Sequence, residues 1–159
     1  MENSPILYYV LRSGYMAEHV LVPFDGSPAA RQALRYACEQ FPTASLTLLY
    51  VMDPMAEYSR HRAAPGYTQE DEFKDEREKG VHILESIRET LPDEISVDTE
   101  IEWGSPAETI ITYADSNNVS QIVIGSHGKQ GIARFLLGSV AESVVRQSAV
   151  PVTVVRPND

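Results

Sequence analysis

A chain of 159 residues, 43% hydrophobic and 23% charged, is long enough to bury one core and has the composition of one globular domain. Its 13 basic against 23 acidic side chains, a formal net charge of −10, exclude a nucleic-acid binder held by phosphate contacts. No apolar run approaches the ~20 residues of a membrane span, and Ile6 to Leu11 is too short and lacks the basic leader of a signal peptide. Cys38 is the only cysteine, so no disulfide framework exists, and His19, His61, His82 and His127 lack metal-ligand spacing. These features predict a cytoplasmic protein. The basic residues are ten Arg and three Lys (Lys74, Lys79, Lys129), and this acid-rich, Lys-poor usage points to a high-salt cytoplasm.

Residues 1–18 do not join the later pattern and read as an N-terminal extension to a domain over 19–157. Met16 is a candidate natural start. The alternative is that Ile6 to Val10 forms an extra edge strand. His19 to Phe24 reads as a short apolar strand, followed by the turn Asp25-Gly26-Ser27-Pro28 with Ser27 as N-cap and Pro28 at the first helical position. Ala30, Ala33, Leu34, Ala37, Cys38 and Phe41 recur at helical spacing and predict a helix to about Gln40. Cys38 in that helix reads as a small buried filler. Leu46 to Met52 is a second apolar strand. Asp53 to Thr68, with Pro54, Pro65 and Gly66, reads as a long loop, in which Arg60-His61-Arg62 is either a lid over an anion or a disordered stretch.

Glu70 to Leu91 is a charged helix with Phe73, Gly80, Leu84, Ile87 and Leu91 on one face, ended by Pro92-Asp93. Ile95, Val97, Thr99 and Ile101 alternate with polar residues, which predicts a strand exposed on one side. Gly104-Ser105-Pro106 repeats the earlier turn, and Ser105 with Glu108 predicts a capping box opening a helix with Ala107, Ile110, Ile111 and Ala114 inward. A buried strand begins at Gln121, a helix runs from Val140 to about Ser148, and Val152 to Val155 is the last strand. This β-α-β-α-β-α-β-α-β order demands parallel strands with helices on both faces of the sheet, a single-domain α/β fold.

Between the fourth strand and its helix lies Gly125-Ser126-His127-Gly128, followed by Gly138-Ser139. Strand, glycine loop and helix N-terminus together form an anion pocket: glycines let N–H groups approach a phosphate, and the helix adds orphan donors and its positive end. Charge agrees with this placement. From Ser116 to Asn158 the only acid is Glu142, against Lys129, Arg134, Arg146 and Arg156, so this segment is +3 in a chain of −10. The sequence lacks Gly-x4-Gly-Lys-Ser/Thr, lacks Gly-x-Gly-x-x-Gly after the first strand, and lacks Gly-x-Ser-x-Gly.

The remaining pattern, Gly-x2-Gly-x9-Gly-Ser after a buried strand, resembles the nucleotide-binding motif of the ATP-binding subgroup of the universal stress protein family. The resemblance runs from about His19 to Arg156 and includes Val-Leu-Val-Pro-Phe-Asp-Gly-Ser near the start and Leu-Leu-Gly-Ser-Val-Ala-Glu-Ser-Val-Val-Arg near the end. It implies a Rossmann-like, adenine nucleotide alpha hydrolase-like fold, with a five-stranded parallel sheet ordered 3-2-1-4-5. It also implies a homodimer paired through Val152 to Val155. Carried over, Pro23, Asp25 and Val51 frame adenine and ribose, and Ile124, Gly125, Ser126, His127, Gly128, Lys129 and Gln130 wrap ribose and phosphates. Gly138, Ser139 and Val140 hold the phosphates of ATP, with Mg2+.

Several of these residues have a second reading. Ser139 either donates to a phosphate or is only an N-cap. Asp25 either contacts the ribose or adenine, or merely caps the following helix. His127 either touches the ligand or is a solvated loop residue, and Lys129 and Arg134 either pair with phosphate or sit in solvent. Gly131 lies outside the motif's fixed positions. The function implied is an ATP-binding stress-response regulator acting through its bound state. The alternatives are a slow ATPase or adenylyl-transferring enzyme, with Asp25, Asp53 and Glu142 as possible metal neighbours, and a nucleotide-free interaction module.

Overall fold

The computed structural model describes residues 17–55, 65–127 and 137–157. The predicted N-terminal strand, Arg60-His61-Arg62, and the loop residues Gly128, Lys129, Gln130, Gly131 and Arg134 lie outside the described residues. In chain order the elements are β1 (His19–Pro23), α1 (Pro28–Gln40), β2 (Ser45–Met52), α2 (Gln69–Arg88), β3 (Val97–Trp103), α3 (Pro106–Ser116), β4 (Gln121–Gly125), α4 (Ser139–Gln147) and β5 (Val152–Val155). The five strands form one sheet in the order β3-β2-β1-β4-β5, all pairs parallel.

The strands are near-continuous apolar runs because both faces are covered. Val20, Val22, Leu46, Leu48, Tyr50, Met52 and Val123 turn to one face, under Ala30, Ala33, Leu34 and Ala37 of α1 and Leu84 and Ile87 of α2. Leu21, Leu49, Ile122 and Ile124 turn to the other, under Ile110 and Ala114 of α3 and Ala141 and Val144 of α4. β3 is the exception: Asp98, Glu100 and Glu102 are exposed, as the alternation predicted for a strand with one open side. β3 starts at Val97, later than Ile95, and runs on to Trp103.

Caps decide where the helices start. Ser27 accepts the Ala30 N–H on its Oγ (3.2 Å), as expected, and this bond is buried; removing such a cap costs about 1 kcal/mol. Ser105 makes no side-chain cap bond, so the predicted capping box with Glu108 is absent and α3 relies on Pro106 at its first turn. A capping box does form where none was predicted, at Thr68 and Asp71. The two hydrogen bonds from Thr68 hold the Asp71 carboxyl below its ordinary value.

α2 departs from its predicted face. It ends at Arg88, three residues before Leu91, and Phe73 is 41% exposed, resting on Trp103 with ring centroids 5.1 Å apart. Glu76 is buried in its place, accepting hydrogen bonds from the Tyr50 hydroxyl on Oε1 and from the Lys79 ammonium on both oxygens. Gly80 allows this packing, because a Cβ there would stand 2.6 Å from the Tyr50 ring.

At the amino end of the sheet, His19 ties three segments together. Its Nδ1 lies 3.0 Å from the Asn117 carbonyl oxygen and its Nε2 2.7 Å from Thr47 Oγ1. A carbonyl can only accept, so Nδ1 carries a proton, and in the neutral ring Nε2 accepts from the Thr47 hydroxyl. Cys38 is only half-buried at the edge of the core rather than buried as predicted, because its turn of α1 sits at the rim of the α1 contact; desolvation still pushes its thiol up, away from thiolate character.

Candidate functional site

The strand order reverses between β1 and β4. The chain leaves β1 toward β2 and leaves β4 toward β5, so the carboxyl ends of these two neighbours emerge side by side, at the place where open α/β sheets bind ligands. Pro23 and Asp25 arrive there from β1, Ile124, Gly125, Ser126 and His127 from β4, and Gly138 from the start of α4. Val51 is one strand away on β2, half-buried against the α3–α4 face, and Val140 packs against the same core. Most predicted site residues that fall within the described chain thus meet at one mouth.

On the β1 side, Gly26 has φ 79°, a left-handed turn that glycine adopts without penalty. Asp25 Oδ1 accepts the Ser27 N–H at 2.9 Å, so the capping reading of Asp25 is realised. Its Oδ2 has no hydrogen-bond partner among the described residues, which leaves that oxygen free for a ligand donor.

On the β4 side the pivot is Ser126, only 3% exposed. Its N–H donates to Val155 O (2.8 Å) and its carbonyl accepts the Gly138 N–H (2.6 Å), joining β5 and the start of α4 to the end of β4. Its hydroxyl lies 2.9 Å from His127 Nδ1. Sequence reasoning missed this pairing; a Ser-His dipeptide at a strand end was the only signal. The two described loop glycines also have a packing role that was not predicted. A Cβ at Gly125 would stand 2.7 Å from the Ala29 carbonyl carbon, and one at Gly138 2.9 Å from Ser126 O and 3.0 Å from His127 Cα. Both glycines permit chain to approach chain. Neither has a positive φ.

The cap at α4 is likewise a correction. Gly138 (φ −62°, ψ 151°) is the N-cap, and Ser139 is the exposed first residue of the helix. The first intrahelical bond is Glu142 N–H to Gly138 O (2.9 Å), so the N–H groups of Ser139, Val140 and Ala141 precede it. With the Ser126 and Gly138 amides engaged by the chain, the anion-binding capacity of the described residues concentrates in this first turn, at the positive end of the helix.

The three carboxylates considered as metal neighbours do not converge. Asp53 Oδ1 caps Met55 N (2.9 Å), and Glu142 pairs with Arg146 one turn on (2.9 Å). No group of three or more His, Cys, Asp or Glu forms a cation site among the described residues. A second groove, between β3 and α3, is lined by Glu102, Trp103, Glu108, Thr112 and Tyr113. Its charged lining is acidic, Glu102 and Glu108, which disfavours an anion there; burial first and then Glu100 raise the Tyr113 pKa, with a Thr47 hydrogen bond opposing them.

Known proteins agree with this architecture. The family model described as universal stress protein family matches residues 16–156. A universal stress protein of Methanocaldococcus jannaschii is 30% identical over 95% of this chain and 89% of its own length. A solved structure of another protein of that organism is 33% identical with a TM-score of 0.76, covering 91% of this chain and 99% of that one. Two more distant structures share the fold: an Arabidopsis thaliana family protein with AMP bound (19% identical, TM-score 0.63, 88% and 92% covered) and a universal stress protein in complex with cAMP (21%, 0.57, 89% and 98%). No helix among the described residues is long and apolar enough to cross a membrane. The chain belongs to the universal stress protein family.

Proposed function

We propose that this chain binds an adenine nucleotide, ATP with Mg2+, at the β1–β4 mouth and acts as a regulator through its bound state. The observation that carries the reading is that, at the sheet's switch point, first-turn amides of α4 and a carboxylate oxygen of Asp25 come to the same end of the sheet with no hydrogen-bond partner among the described residues. The donor set fits the ligand. Amides at a helix start suit phosphate oxygens, Asp25 Oδ2 suits a ribose hydroxyl or the adenine amine, and half-buried Val51 offers apolar surface to the base, while Ile124 is held in the core. Ser139 adds an exposed hydroxyl at the same helix start; the motif resemblance assigns Gly128, Lys129 and Gln130 to the site as well, and these lie outside the described residues. That two proteins of this fold hold AMP and cAMP supports an adenylate as the ligand class. Mass spectrometry of small molecules released on denaturing the purified protein tests the reading: an adenine nucleotide is expected, and a different occupant sinks it.

Asp25→Asn separates the two roles of that side chain. The amide oxygen still caps Ser27, while the other position becomes a donor, so thermal stability holds and affinity for adenosine nucleotides falls about tenfold. Inorganic phosphate binding stays unchanged. Equal loss for both ligands contradicts the assignment.

The proposal extends to a homodimer through β5. This strand closes one edge of the sheet, and all four of its residues are half-exposed, an unusual state for Val152, Val154 and Val155 in a parallel sheet. Light scattering of the purified chain gives twice the 17.7 kDa monomer mass on this reading. A monomer at micromolar concentration removes it.

A further inference from the structure

The hydrogen bond between Ser126 and His127 has a direction that the surroundings decide. The two atoms stand 2.9 Å apart, and either Nδ1–H donates to Oγ or the hydroxyl donates to Nδ1. Ser126 is buried, and its hydroxyl has no other partner among the described residues. If Nδ1 carried the proton, the buried hydroxyl proton would have no acceptor, at a cost of about 1–3 kcal/mol. With the hydroxyl donating, every buried polar atom of Ser126 is satisfied: N–H on Val155 O, carbonyl on Gly138 N, Oγ–H on Nδ1. The proton of the neutral imidazole then resides on Nε2.

We propose that Ser126 is a positioning residue that holds His127 as the neutral Nε2–H tautomer, and that this N–H is a donor to a phosphate oxygen of the bound nucleotide. Two further contacts place the ring. The Ser126 main chain is locked between β5 and the α4 cap, so it cannot shift to release the imidazole. His127 Cα and Cβ lie 3.0 and 3.4 Å from where a Gly138 Cβ would be, which sets the residue against the helix start whose amides face the anion. His127 is half-buried, and Nε2 has no partner among the described residues. A neutral donor suits this position, since it adds a directed hydrogen bond to the phosphate-binding turn. The phosphate half of the proposal rests on the nucleotide reading above; the tautomer half does not.

The test uses the full chain labelled with 15N. Long-range 1H–15N correlation of the imidazoles, at a pH where the rings are neutral, reports which nitrogen bears the proton, and His127→Gln identifies the resonance. The Nε2–H pattern is expected for wild type, a mixture for Ser126→Ala, and recovery for Ser126→Thr, which keeps the hydroxyl. An Nδ1–H pattern in wild type overturns the proposal, whether or not the Ser126 variants fold. In nucleotide titrations His127→Ala is expected to weaken ATP about tenfold and adenosine by less than twofold, with His127→Gln, whose amide nitrogen replaces Nε2, intermediate. Equal effects on ATP and adenosine overturn the phosphate contact. A wild type with the Nε2–H pattern that binds no adenine nucleotide sinks the nucleotide reading and the donor role with it, leaving Ser126 as the tautomer's cause.

Discussion

Gly138→Val is expected to abolish measurable ATP binding and to lower unfolding stability by about 1–3 kcal/mol. Packing supplies a reason independent of the one the sequence pattern offers, in which the new side chain occupies the space of a phosphate. Gly138 has φ −62° and ψ 151°, a conformation open to any residue, so strain of the backbone is not the cause. A Cβ there meets Ser126 O at 2.9 Å and His127 Cα at 3.0 Å, and both are main-chain atoms that cannot rotate away. To make room, the α4 cap must leave the end of β4, breaking the Gly138 N–H to Ser126 O bond and moving the first-turn amides off the crevice. Gly138→Ala carries the same Cβ and should show most of the loss. Urea unfolding and an ATP titration on the same samples check both effects. A Gly138→Val chain that binds ATP as wild type does rules out this account of the helix start.

Gly125→Ala is expected to cost about 3 kcal/mol, at the upper end for overpacking. Its Cβ would lie 2.7, 2.8 and 2.9 Å from Ala29 C, Cβ and O in the first turn of α1, where the next amide, Ala30 N–H, is held by the Ser27 cap. Local preference argues the other way, since Ala is no worse than Gly in a strand interior and restricts the unfolded chain more. Packing and propensity therefore predict opposite signs. For a domain of this length, 3 kcal/mol lowers Tm by roughly 6–12 °C. A Tm at or above that of wild type contradicts the close approach of β4 to α1.

The fold was largely readable because each strand is a short apolar run closed by turn chemistry. Asp25-Gly26-Ser27-Pro28 put the α1 boundary at Pro28, and the alternation of Val97 to Glu102 marked β3 as the strand with an open side. Failures came where tertiary contacts outrank local pattern. Phe73 fits the apolar stripe of α2, yet Glu76 holds the buried position, because Tyr50 on β2 presents a hydroxyl there and Gly80 clears the space for its ring. Ser105 has the residue type of a cap but makes no cap bond, while Thr68, in a segment read as loop, does. At the site, the glycine spacing located the mouth but not the job of each glycine, since a collision with Ala29 or with Ser126 depends on how β4, α1 and α4 pack. The Ser126 network was invisible for the same reason: Val155 is 29 positions away in sequence and adjacent only once β5 pairs with β4.

Equilibrium titration of the purified full-length chain with ATP in the presence of Mg2+ tests the central claim most directly. Saturable binding of about one nucleotide per chain, lost in Gly138→Val and weakened in Asp25→Asn, is the predicted result. A folded wild-type chain that shows no saturable binding, or one whose binding ignores both substitutions, contradicts a nucleotide site at the β1–β4 mouth.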